Sequence, residues 1–311
     1  MITLAESGCG TLFSGGVADA GNPNLNARRA KTYLERVCKI GRRISGTPGM
    51  AKQRKLMADH FEKLGAKVQY QHFDVAHPLT GRPVRMKNMI VSWHPDAKQR
   101  VLLACHYDTR PFPDRDPNPR KRTGRFVGAN DGASGVALFM ELAHHMKDLK
   151  PTYGVDFVFF DAEEFIFRDK GNGNTDDYFL GSKHFATEYK KHPPKHRYVY
   201  GVLVDMVGDR NLQLYMEKNS LRYAPDLTKS LWSTAAKLRV REFIHDVKHE
   251  VQDDHLPLNT IAGIPTCDII DFDYRYWHTT QDVPSQCSGA SLVKVGRVLL
   301  KWLENAPKPA E

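Results

Sequence analysis

The run GASGVALFMELAHHM at 132–146, followed by GVDFVFFDAEE at 154–164, decides the fold class. The first is apolar nearly all round, as a helix buried between layers must be. The second is a continuous apolar run of the kind that forms a strand covered on both faces, as in parallel sheets. Immediately upstream, QRVLLACHYD at 99–108 is another apolar strand that ends on polar residues. Strand, buried helix and strand make a βαβ unit. Further towards the N-terminus, KVQYQHFDV (67–75) and MKNMIVSWH (86–94) predict two more strands. Two helices precede them: one pairs Tyr33 with Val37 and Leu34 with Cys38, and the other, AKQRKLMADHFEKLGA, closes near Gly65. Downstream the alternation continues as helix YFLGSKHFATEY, strand YVYGVLVDMVGD, helix RYAPDLTKSLWSTAAKL, strand PTCDIIDF and helix ASLVKVGRVLLKWLE. This grammar predicts a three-layer α/β/α domain.

The chain has 311 residues, 41% of them hydrophobic and 26% charged, which excludes collagen-like and wholly disordered classes. No internal repeat or Pro/Ser-rich linker divides it, so one catalytic domain is expected over 27–306, after a flexible leader (1–26) and before a short tail (307–311). No stretch approaches the roughly 18 apolar residues of a membrane helix. The opening residues lack a basic and apolar signal pattern, which makes the cytoplasm the default location. Five cysteines (Cys9, Cys38, Cys105, Cys267, Cys287) show no CxxC spacing, which argues against both a disulfide framework and a cysteine zinc knuckle. The formal charge is +9, and much of the excess is local: DTRPFPDRDPNPRKRTGR at 108–125 carries six basic and three acidic residues. It reads first as a solvated loop and, as a long polar insert directly after a strand end, as a segment expected to border a cleft. With no aromatic-studded basic motif, nucleic acid is not an expected partner.

Side chains that can do chemistry collect at the C-terminal ends of the predicted strands. His106 and Asp108 follow VLLAC, Glu163 and Glu164 follow VFFDA, Asp205 follows GVLV, and His278 follows the last strand. In α/β proteins that edge is where sites form. Asp131, in VGANDGASG, stands just before a helix, where an N-cap would serve equally well. The Glu163–Glu164 pair ends a hydrophobic run, where charge is costly without a partner. Imidazole and carboxylate are zinc donors, and a catalytic zinc keeps three protein ligands and an open position; Asp131, Glu164 and His278 can supply the three, leaving Glu163 as general acid/base.

The ordered motifs CHYD (105–108), VGANDGAS (127–134), FFDAEE (159–164), GSKHFA (181–186), LVDMVGD (203–209), QDDHLPL (252–258), GIP (263–265) and WHTTQD (277–282) resemble the zinc-dependent exopeptidases of bacterial leucyl aminopeptidase type. Within that family the sequence is most similar to the animal-type glutaminyl-peptide cyclotransferases. The resemblance covers about residues 28–305. It implies a mixed, mostly parallel eight-stranded sheet and a metal site at its C-terminal edge. The aminopeptidase pattern implies two zinc ions bridged by Asp131, with His106 and Asp205 on one and Glu164 and His278 on the other. The cyclotransferase pattern implies one zinc on Asp131, Glu164 and His278, an acidic network of Glu163, Asp205 and Asp253, and a substrate-binding wall at Trp277. QDDH and the Trp277–His278 pair favour the cyclotransferase branch, with peptide or protein N-termini as substrates and a monomer expected. A binding module that has lost catalysis is the third class, against which the intact acids and His278 argue. The sequence departs from the branch in reading FIFRDKG at 165–171, where a second tryptophan is expected, and in placing Val136 where a partner for Cys105 would stand.

Overall fold

Asn26 accepts a hydrogen bond from the Arg29 amide and caps helix α1 (Ala27–Lys39), whose Ala30, Tyr33, Leu34, Val37 and Cys38 form one buried stripe. Thr47 caps α2 (Pro48–Lys63) in the same way, with Pro48 in the first turn, where its missing N–H costs nothing. The computed structural model describes residues 24–167 and 177–308; the expected leader before residue 24, the stretch 168–176 and residues 309–311 lie outside the described residues.

Strands β1 (Lys67–Ala76) and β2 (Pro83–Trp93) form an antiparallel hairpin. Then come β3 (Gln99–His106), α3 (Ala133–Met146), β4 (Gly154–Phe160), α4 (Leu180–Lys191) and β5 (Arg197–Asp205). The chain continues through β6 (Leu214–Met216), α5 (Lys218–Tyr223), α6 (Pro225–Lys237), β7 (Phe243–Val247), α7 (His255–Thr260), β8 (Thr266–Ile270) and α8 (Gly289–Asn305). The main sheet runs β1-β2-β4-β3-β5-β8, antiparallel at its β1–β2–β4 side and parallel from β4 to β8. Alternate residues of β3 enter different cores. Val101, Leu103 and Cys105 join the cluster built with α1, α3, α6 and α8, whereas Leu102 and Ala104 join Phe185 of α4 and Leu258 of α7. Because successive strand residues face opposite sides, helices cover both faces, as a three-layer α/β/α fold requires.

Two expectations need correction. Among the described residues there are eight strands, but the main sheet holds six; β6 and β7 pair separately, in parallel. β6 is only three residues long and β7 turns exposed after Ile244, so neither presents the two apolar faces of a central strand. The single helix expected over RYAPDLTKSLWSTAAKL is two. Ala224 leaves the helical region (φ −142°) because the ring of Pro225 disfavours helical backbone in the residue before it. The four described cysteines are buried and unbridged, Cys105 among them. Among the described residues no helix is long and apolar enough to cross a membrane.

Register positions the site. His106 pairs with Phe160 across β3–β4, and Asp205 with Ile270 across β5–β8, so the chain leaves all four parallel strands on one edge.

Candidate metal centre and cavity

At the end of β4 the backbone turns at Ala162, which adopts a left-handed conformation (φ 59°), and the next two amides donate to one carboxylate: Glu163 N and Glu164 N each lie 3.1 Å from an oxygen of Asp108. The turn sends the two glutamates to different partners. Glu163 Oε2 is 3.7 Å from His106 Nδ1, while Glu164 Oε1 is 2.6 Å from His278 Nε2. His278 is itself left-handed (φ 54°), a conformation costly for a side chain of this size and held here by the surrounding packing. Asp108 is fully buried and pins both glutamates at once. Asp108→Ala leaves two buried N–H groups unpaired, and the expected loss is about 2–6 kcal/mol in urea unfolding of the metal-free protein.

Asp131 does not cap α3. Gly132 takes the cap position without any side-chain cap bond, and the Asp131 carboxylate turns into the cluster instead. Its Oδ1 lies 3.3 Å from His106 Nε2 and its Oδ2 lies 3.5 Å from His278 Nε2. Only glycine fits at 132: the backbone has φ 88°, and a Cβ there would meet the Asp108 carbonyl oxygen at 2.5 Å. Asp282 fixes the loop by accepting from Asn130 N (2.8 Å) and Asp131 N (3.2 Å), while the Tyr274 hydroxyl donates to it. His106 Nε2 also lies 3.2 Å from Asp205 Oδ1.

Donor atoms of His106, Asp131 and Glu164 all fall within 4.8 Å of one another, and His278 joins them through Glu164 and Asp131. The expected set of Asp131, Glu164 and His278 is therefore together, and His106 adjoins it as a candidate donor for a second position. All four residues are at most 4% exposed. Asp131 Oδ2 is buried without a hydrogen-bond partner among the described residues. Ligand atoms of a tetrahedral zinc stand roughly 3.3 Å apart, given bonds of about 2.0 Å. The observed 2.6 and 3.5 Å separations bracket that spacing, so the donor set fits a divalent ion.

Asp131, Glu163, Glu164, Asp205, Asp253, Trp277 and His278 all line one cavity of roughly 390 Å³; His106 stands behind it. Trp277 is half-buried and packs on the His278 ring (centroids 4.2 Å apart) and on Phe272 (5.1 Å). Burial, then the charge of Glu164, pushes the Glu163 carboxyl well above the usual range. Asp253 is pushed well up by burial, then by Asp205 and Asp254. Burial and Glu164 lift Asp131 to about 7. Glu164 goes the other way: burial would raise it, but His278 and Arg110 outweigh burial and hold it ionised.

Several site residues were not singled out from the sequence. Asp114 Oδ1 is 3.3 Å from His278 Nδ1 and pairs with Arg110 at 2.9 and 2.7 Å, orienting the imidazole from behind. Arg110 N donates to Glu164 Oε2 at 3.2 Å. Both residues belong to the stretch read as solvated loop, yet Arg110 is buried. Asp254, bonded to the Ser182 hydroxyl, sits beneath Asp253. The signal for Asp282 was in WHTTQD, but nothing in that motif separates a loop anchor from a donor.

With a sheet of this topology and a carboxylate–imidazole cluster at its C-terminal edge, the chain belongs to peptidase family M28, whose family model matches residues 88–303. Among solved structures, the glutaminyl cyclase of Fimbriiglobus ruber is 43% identical and superposes with a TM-score of 0.87, covering 92% of this chain and 97% of that one. A Zn-dependent exopeptidase from Parabacteroides distasonis is 31% identical with a TM-score of 0.85, covering 92% of this chain and 100% of that one. The glutaminyl-peptide cyclotransferase of Gloydius blomhoffii is 27% identical over 290 residues, covering 83% of this chain and 75% of the relative. Within the family, the protein is an enzyme of the glutaminyl-peptide cyclotransferase type.

Proposed function

We propose that the enzyme converts an N-terminal glutamine of peptides into pyroglutamate with release of ammonia, using one zinc ion held by Asp131, Glu164 and His278. The observation that carries this reading is a single cavity in which Glu163, with its raised pKa, and Asp253 face the same space as Trp277 and the metal donors. When bound, the ion supplies Lewis-acid polarisation of a carbonyl oxygen.

The chain's own residues do the rest. Cyclisation needs the α-amine and the γ-carboxamide of one residue brought together, so folding the side chain back replaces recruitment of a second reactant. Trp277 walls the cavity and holds that bent shape. As the amine nitrogen bonds to the γ-carbon, Glu163 takes one of its protons; as the bond to the amide nitrogen breaks, Glu163 returns a proton there and ammonia leaves. A carboxyl lifted well above the ordinary range by burial and then by Glu164 suits both transfers. Asp253, pushed well up by burial and then by the neighbouring Asp205 and Asp254, keeps a proton near Glu163.

A second reading, a two-zinc aminopeptidase, is favoured by one specific feature. The two oxygens of Asp131 face two different imidazoles, and His106 has Asp205 beside it, which outlines a second ion position. Product identity separates the two. Zinc-loaded protein is incubated with a Gln-peptide and a Leu-peptide in parallel, and products are weighed by mass spectrometry. The cyclase reading expects the Gln-peptide to lose the mass of ammonia and the Leu-peptide to stay intact. A released first residue from either peptide overturns it in favour of the peptidase.

A further inference from the structure

The cavity changes sign from floor to rim. Its floor carries the carboxylates of Asp131, Glu163, Glu164, Asp205 and Asp253, and its rim carries Arg115. The exposed guanidinium of Arg115 lies 4.2 Å from the centre of the Trp277 ring, and its backbone N–H donates to the His278 carbonyl, which fixes the residue to the metal-ligand segment. Arg115 and Arg110 also line an adjoining cavity of roughly 420 Å³, whose far wall includes Arg122. This second cavity shares Arg110 and Arg115 with the first and holds none of the metal donors, so it offers residues after the N-terminal one a way out of the reacting centre.

Of the three arginines lining this annex, one is neutralised. Arg110 is committed to Asp114 through two hydrogen bonds, and Asp114, the acid of this annex, is shared only between Arg110 and His278. Arg122 donates to a backbone carbonyl, that of Asp116 at 2.8 Å. Among the described residues neither Arg115 nor Arg122 has a carboxylate partner. Two exposed guanidiniums, one stacked on the indole that walls the substrate and the next in the annex beyond, form a positive track with no carboxylate partner among the described residues.

We infer that the enzyme selects peptides in which acidic residues follow the N-terminal glutamine, Arg115 pairing with the first and Arg122 with the next. The inference rests on the cyclase reading and adds the substrate class. The floor is taken up by the metal donors and the acid/base Glu163, so a carboxylate is accepted only past the glutamine, where the guanidinium fork offers bidentate hydrogen bonds. Because both arginines are solvent-exposed, the pairing is screened by salt.

The test uses zinc-loaded full-length protein and three peptides that differ only after the glutamine, reading Gln-Glu-Glu, Gln-Ala-Ala or Gln-Lys-Lys before a common tail, with ammonia release as readout. At low salt kcat/KM is expected to be about fivefold to tenfold higher for the Glu-Glu peptide than for the Ala-Ala peptide, carried by KM, and to converge as salt rises. In Arg115→Ala/Arg122→Ala the ratio of those two peptides falls to near one, and Arg115→Glu reverses it. Taking the ratio within each variant cancels any general loss from disturbing Trp277, since a merely structural role would slow all peptides alike. Equal turnover of the three peptides by the wild type, or a preference for Lys-Lys, overturns this inference alone. Turnover of none of them overturns the cyclase reading and the inference with it.

Discussion

Glu163→Gln is expected to lower kcat/KM for a Gln-peptide by about 10²–10⁴, the usual contribution of a positioned acid/base, while zinc content and folding are retained. The amide has the shape of the carboxyl it replaces and keeps the Asp108 anchor, which grips the backbone N–H of residue 163 and not its side chain. It cannot take a proton from the amine and hand it to the departing nitrogen. Its effect on stability has a definite sign. In the metal-free protein the folded-state pKa of Glu163 is raised, by burial and then by Glu164. The native state therefore holds its proton above pH values at which the unfolded chain has lost it, and stability falls as pH rises from the ordinary carboxylate value towards the raised one. Glutamine removes that penalty. Zinc-depleted Glu163→Gln should thus match the wild type at pH 4 and melt higher at pH 8. Activity within threefold of wild type would move the proton-transfer role to another group.

How far the sequence carried this reading follows from what each residue's role depends on. His106, Glu163, Glu164 and Asp205 were legible because an apolar strand that stops abruptly on an acid or imidazole marks its own C-terminal end. In a parallel sheet those ends share one edge whatever the strand order. Asp131 was legible only as one of two alternatives. A carboxylate before a helix has the same local sequence whether it caps the helix or turns away, and the choice is made by Asp282 and Tyr274, about 150 residues downstream. Asp114 and Arg110 were legible only as part of an insert bordering a cleft, not as individual site residues. Their stretch is polar and rich in proline, as solvated loops are. What buries Arg110 is the arrival of Glu164 and Tyr178 from other parts of the chain. The eight strands divided into six and two because β6 and β7 are short and half-exposed, so their composition does not distinguish a sheet edge from a separate ribbon.

His278→Ala is expected to remove bound zinc and, with it, the activity, and comparison with Asp114→Asn and His106→Ala turns that loss into an assignment. His278 gives its Nε2 to the cluster, 2.6 Å from Glu164 and 3.5 Å from Asp131, so its loss removes a donor and leaves two buried carboxylates facing each other. Asp114 touches only the far nitrogen. Loss of such an orienting partner costs about 10–100-fold in metal affinity, and loss of the ligand itself should exceed that. Competition with a chelator, read by bound zinc, should rank wild type above Asp114→Asn above His278→Ala. The affinity should also rise with pH up to about 7, because burial and the neighbouring Glu164 keep a proton on Asp131 to about that value and the ion must displace it. His106→Ala decides the count. It stands behind the cavity and meets the cluster through Asp131 and Asp205. A one-zinc enzyme keeps its zinc in this variant, whereas a fall from two ions to one per chain would establish the second position and with it the aminopeptidase arrangement.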